Sequence, residues 1–100
     1  MVIVQSLWVG NDLSDMEKYS IQSFLNLGHE FHLYTYENIG GIPKGVKIKD
    51  GNEIMPASEI FSLKKTLLPF SDIFRYKMLY EKGNYWVDLD LICIKKLDFK

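Results

Sequence analysis

Near the end of the chain, Trp86-Val87-Asp88-Leu89-Asp90-Leu91-Ile92-Cys93-Ile94 sets two carboxylates into an apolar, partly β-branched run. Such a run reads as a buried strand. Side chains alternate across a strand, so Asp88 and Asp90 are expected on one face, with Cα atoms roughly 6.5 Å apart. A charge inside a core is costly unless it is paired or holds a metal. Three arrangements relieve that cost. A divalent cation shared with a phosphate is one, a nucleophilic aspartate with a helper is another, and a strand end that reaches solvent is the third. The spacing alone does not choose among them.

The chain leading to that run follows an α/β pattern. Residues 2–9 are β-branched and closed by Gly10-Asn11, a first strand. Ser14 and Glu17 stand at capping-box spacing, Ile21, Phe24 and Leu25 form an apolar stripe, and Gly28 suits the position after a helix end. Residues 30–37 alternate as a second strand, so the crossover has the length a parallel pair requires. Residues 38–45 are loop, and residues 46–49 a short, edge-like strand. Residues 52–70 read as a loop with one marginal helical turn after Pro56, ended by Pro69. Ser71 to Lys82 is the best helix: Ser71 is expected as its N-cap, Asp72 suits its positive end, and Gly83 stops it. The expected architecture is an α/β sandwich with a mainly parallel sheet and flanking helices, cut short at residue 100.

One hundred residues, 47% of them hydrophobic, supply one core and a single domain over 1–100. The net charge of −1 and the scattered basic residues leave no electrostatic footprint for nucleic acid. A lone cysteine, Cys93, excludes an internal disulfide and fits a reducing, cytoplasmic compartment. The opening apolar run has no basic region before it and is too short for a membrane span, which leaves peripheral association at the inner face of the membrane. His29 and His32 have no partner at metal-site spacing and receive no role. Tyr34 and Tyr36 alternate on the second strand as core or rim residues.

Asp72 and Arg75 are three apart on one helical face. As a surface ion pair they contribute at most about 1 kcal/mol. Their position just upstream of the Asp-x-Asp run suggests more: an arginine there can neutralise a diphosphate, and an aspartate can hydrogen-bond sugar hydroxyls.

The segments Phe70-Ser71-Asp72-Ile73-Phe74-Arg75-Tyr76, Leu79-Tyr80-Glu81-Lys82-Gly83 and Tyr85-Trp86-Val87-Asp88-Leu89-Asp90 resemble the sugar-binding Asp-x-Asp region of family 32 glycosyltransferases. That group includes bacterial capsular-polysaccharide enzymes, with clostridial toxin glucosyltransferases as distant relatives. Gln5-Ser6-Leu7-Trp8-Val9-Gly10 resembles the family's first strand. The resemblance implies a GT-A-type nucleotide-sugar-binding fold and transfer from a nucleotide-sugar donor, a UDP-sugar, to a glycan or polysaccharide acceptor with retention. It implies that Trp8 stacks on the base with Val9 beside it, and that Asp72 and Arg75 contact sugar and diphosphate. Asp88 would touch ribose or sugar and bear on a Mn²⁺ or Mg²⁺ ion that Asp90 ligates; Asp88, Asp90 and Arg75 would be the catalytic set.

The chain departs from that family in places. The usual Gly-Gly before the strand is Gly83-Asn84, and Asn tolerates the left-handed conformation. Trp86 stands where the toxin-like relatives carry tyrosine. Family members are also longer, so a donor-binding half-domain without turnover is the first alternative, and a module completed by another chain is a further one. Ending at the Asp-x-Asp strand would uncover apolar surface and promote self-association. Haloacid-dehalogenase-like phosphatases also place two aspartates at this spacing, but Leu91 and Ile92 break that motif.

Overall fold

The structure is a computed structural model, and it describes residues 3–10, 12–58, 70–87 and 89. In order these form β1 (Ile3–Trp8), α1 (Asp15–Asn26), β2 (Glu30–Thr35), β3 (Lys47–Asp50), a 3₁₀ turn (Gly51–Glu53), α2 (Phe70–Lys82) and β4 (Tyr85–Trp86). The strands make one sheet in the order β3-β2-β1-β4, and every pairing is parallel. The expected α/β class with a parallel sheet is what is observed, and the third strand occupies the predicted edge.

Two apolar clusters, one on each face of the sheet, explain why β1 and β2 are apolar on both sides. On one face Val4, Phe31 and Leu33 join Leu13, Ile21 and Phe24 from the α1 side, with Val87 and Leu89. On the other, Tyr34 meets Phe74 and Met78 of α2 together with Ile54 and Met55, and Leu7, Tyr36 and Trp86 border them. Phe74 is fully buried, its ring 5.5 Å from Tyr34 and 6.3 Å from both Tyr36 and Trp86.

Local rules set the ends of α1. The Ser14 N–H donates to one Glu17 carboxylate oxygen at 2.9 Å and the Ser14 hydroxyl to the other at 2.7 Å. These bonds hold the Glu17 carboxyl below the usual carboxylate range. At the other end Gly28 has φ +84°, its N–H donates to Leu25, and the His29 N–H donates to Phe24, the hydrogen-bond pattern of a Schellman motif. Beyond β3, Tyr36 Oη lies 2.7 Å from the Met55 carbonyl and 3.2 Å from that of Gly51, and so pins the 3₁₀ turn under the β2 end.

Three expectations change. Helix α2 begins no later than Phe70, which places Ser71 in its first turn and not at its cap; helix ends are set by backbone hydrogen bonds as well as by capping residues. The 52–70 region starts differently from a plain loop, because Asp50 accepts from the backbone and side-chain N–H groups of Asn52 and closes the 3₁₀ turn; Ser58 is helical as expected, and residues 59–69 lie outside the described residues. The run expected as a strand over 86–94 pairs at Tyr85 and Trp86, adds one bond from the Val87 N–H to the Gln5 carbonyl at 3.0 Å, and is in a turn at Leu89. Asp88 and residues 90–94, Cys93 among them, lie outside the described residues.

Candidate functional site

The two described helices lie on opposite faces of the sheet, α1 linking β1 to β2 on one and α2 leading into β4 on the other. Where neighbouring parallel strands send their connections to opposite sides, a crevice opens beyond their carboxyl ends, and ligands bind there in open α/β sheets. Here that point lies between β1 and β4. The chain leaves β1 through Trp8, Val9 and Gly10, and leaves β4 through Val87 toward the Asp-x-Asp segment.

Trp8 is half-buried against the α1-side core, and its indole N–H donates to the Asp12 carbonyl at 3.0 Å. Asp12 is also bridged to Gly40, where an added Cβ would sit 2.8 Å from Asp12 Oδ1. The loop after β1 and the loop after β2 therefore close on each other beside the indole. Val9 is 47% exposed at the end of the strand.

Helix α2 precedes a parallel strand, so its first turn lies at the carboxyl edge of the sheet, as Trp8 does. Asp72 and Arg75 are on that part of the helix, 3.8 Å apart and both partly exposed. The Arg75 guanidinium carbon also sits 5.0 Å from the centre of the Tyr76 ring. Trp8 packs on the α1 side and α2 covers the other side, so the fold brings these residues to one edge on opposite faces. The ion pair has the loose geometry of a surface contact and leaves the guanidinium accessible.

Asp88 and Asp90 lie outside the described residues. Their sequence neighbours Val87 and Leu89 are both buried, at 8% exposure each. The turn that feeds this segment is well defined: Gly83 has φ +69° and Asn84 φ +66°, so asparagine does adopt the left-handed conformation expected of it. Gln5, 1% exposed in the middle of the sheet, donates through Nε2 to the Gly83 carbonyl at 2.8 Å.

Two features are absent from the expectations drawn from the sequence, although each leaves a trace in it. A cavity of about 580 Å³ opens at the carboxyl ends of β2 and β3, lined by Thr35, Glu37, Asn38, Lys49, Asp50 and Asn52 among others. Polar residues directly after a predicted strand were the available signal. Glu30 also gathers two partners: His32 Nε2 lies 2.5 Å from one of its carboxylate oxygens, and Lys47 Nζ lies 3.2 Å from the other. The bond to His32, then that to Lys47, holds Glu30 below its usual pKa. Alternation places Glu30 and His32 on one face of β2, which is how this pair is legible.

Among the described residues no group of three or more His, Cys, Asp or Glu could hold a metal ion. The donor set of the Asp-x-Asp segment is two carboxylates, and oxygen-only donors suit Mg²⁺ or Mn²⁺ and not a thiolate-loving ion. No helix among the described residues is long and apolar enough to cross a membrane.

Comparison with curated proteins and with solved structures gave no match. A protein-family model does match: the glycosyltransferase sugar-binding region containing DXD motif, over residues 14–99. The matched range runs from the α1 cap through α2 and β4 to the Asp-x-Asp segment and beyond it, and leaves β1 with Trp8 outside. Among the described residues, a four-stranded parallel sheet with α1 and α2 fits part of a GT-A-type nucleotide-sugar-binding domain. The chain belongs to the family of glycosyltransferase sugar-binding regions that contain the DXD motif.

Proposed function

We propose that this chain is the donor-binding part of a metal-dependent glycosyltransferase of the family 32 type. It takes a UDP-sugar and serves transfer to a glycan or polysaccharide acceptor, with retention, in the cytoplasm or at the inner face of the membrane. The observation that carries this reading is the family match across the Asp-x-Asp segment, together with the departure of that segment from β4 beside the carboxyl end of β1.

The chemistry follows from the leaving group. Cleaving the anomeric C–O bond of a nucleotide sugar leaves a diphosphate whose charge must be neutralised. A bound Mn²⁺ or Mg²⁺ supplies Lewis-acid stabilisation of that charge. Asp88 and Asp90 would hold the ion, with Asp88 also touching ribose or sugar. Arg75 would add a positive charge toward the diphosphate, and Asp72 would accept from sugar hydroxyls. Trp8 would offer its ring to the base, with Val9 at its edge. Glu37 and Asn38, which line the cavity beyond β2 and β3, would offer an acceptor and a donor to the nucleoside.

Calorimetric titration with UDP-sugars, UDP and a purine diphosphate, each with and without Mn²⁺, tests the reading. It requires UDP ligands to bind more tightly with the metal than without it. Equal binding of all ligands under both conditions would overturn it.

A further inference from the structure

We infer that Gln5 is a positioning residue for the Asp-x-Asp segment, acting through the turn that delivers it; this deepens the donor-site reading and rests on it. One residue grips the segment at two points. Its side-chain amide donates to the Gly83 carbonyl at 2.8 Å, and its main-chain carbonyl accepts from the Val87 N–H at 3.0 Å. Gly83 and Val87 bracket β4, Val87 directly precedes Asp88, and Gln5 is opposite Trp86 in the sheet register.

Burial shows that the amide is there for what it holds. Gln5 is 1% exposed, and its partners in the register of the neighbouring strands are His32 of β2 and Trp86 of β4. Packing alone would be served by an apolar side chain of the same length, since a buried amide costs free energy unless it is hydrogen-bonded. Consecutive left-handed residues at Gly83 and Asn84 are held against a backbone preference of about 1–2 kcal/mol for a residue with a Cβ. Without the amide the turn loses its tie to the centre of the sheet. The main-chain bond to Val87 remains in any variant, so the strand still pairs while the path into Asp88 loosens.

The test compares the wild type with Gln5→Met, Gly83→Ala and the double variant. Far-UV circular dichroism reports folding, calorimetry reports UDP affinity with and without Mn²⁺, and amide NMR reports the turn. Gln5→Met is expected to weaken Mn²⁺-dependent UDP binding about tenfold, the scale of changes behind a metal's direct ligands. Metal-free binding should stay within about twofold, and the amide resonances of Gly83, Asn84 and Val87 should move while those of α1 do not. Gly83→Ala should act in the same direction, because no atom lies within 4 Å of the new Cβ and only the backbone conformation is disturbed. If both act through one turn, the double variant loses less than the two singles together. Unchanged Mn²⁺-dependent affinity in a less stable Gln5→Met protein would overturn the inference, as would equal losses with and without metal. Should Gln5→Met fail to fold, Gly83→Ala decides by the same two affinities. A wild type without Mn²⁺-dependent UDP binding would instead sink the donor-site reading, and is told apart by being seen before any substitution.

Discussion

The indole N–H of Trp8 donates to the carbonyl of Asp12 at 3.0 Å, so the ring is held by its polar edge in the loop that follows β1. Its orientation is fixed before any ligand arrives. Trp8→Phe keeps an aromatic face and loses that bond, and is expected to cost about 1 kcal/mol of stability while most UDP affinity survives. Trp8→Ala removes the face, and should weaken UDP binding by about 10- to 100-fold, the usual worth of one base–aromatic stack. Calorimetry beside thermal unfolding separates the two effects.

Asp72 and Arg75 provide a cleaner separation of structure from function. At 3.8 Å and with both side chains partly exposed, their pairing contributes little to folding. Arg75→Gln should therefore change unfolding free energy by less than about 1 kcal/mol. The same substitution should weaken UDP-sugar binding at least tenfold, and more than it weakens uridine, which has no phosphate. Denaturant titration and a uridine control check both halves.

Gly51 is expected to tolerate no side chain. A Cβ there would stand 2.6 Å from the Tyr36 ring, whose hydroxyl is already tied to the Gly51 and Met55 carbonyls. Gly51→Ala should destabilise the fold by about 1–3 kcal/mol through overpacking, read as a lower melting temperature. Gly51→Ala combined with Tyr36→Leu should recover part of that loss, since the ring is what the methyl group meets.

The α1 cap carries a pH signature. Hydrogen bonds from Ser14 hold Glu17 below its ordinary pKa, so its contribution is complete above the unfolded carboxyl's pKa and disappears as pH falls through the lower folded value. Ser14→Ala is expected to cost about 1 kcal/mol at pH 7. The difference between wild type and Glu17→Gln should narrow on acidification from pH 7 to pH 3, as measured by urea unfolding at each pH.

What was legible in the sequence was whatever acts over a few residues. Ser14 with Glu17, Gly28, and the Gly83-Asn84 turn are local punctuation, and the structure places each as its chemistry requires. The parallel class followed from the strand–helix–strand spacing. Ser71 misled because it is a good cap one residue inside a helix that had already begun by Phe70. Among the described residues of the strand expected from Trp86, pairing is seen at Trp86 and Leu89 is in a turn, because apolar composition does not say where pairing stops. The Gln5–Gly83 bond joins positions 78 apart and has no local signal, while the cavity beside Glu37 and Asp50 needs β2 and β3 side by side, which the polar residues after a strand do not reveal on their own. Of the site, the Asp-x-Asp pair and the Asp72–Arg75 pair stand out by spacing. In the sequence Gln5 is one residue of a family-like strand, with nothing to mark its side chain as a tether.

The central claim is that Asp88 and Asp90 hold a divalent cation against the diphosphate of a nucleotide sugar. The most direct measurement is UDP affinity by calorimetry with Mn²⁺ present, for wild type, Asp88→Asn and Asp90→Asn, each shown to be folded by circular dichroism. The account predicts that Asp90→Asn abolishes the Mn²⁺-dependent part of the affinity, that Asp88→Asn reduces it at least tenfold, and that metal-free binding of both matches the wild type. Mn²⁺-dependent UDP binding that survives intact in the two folded variants would contradict it.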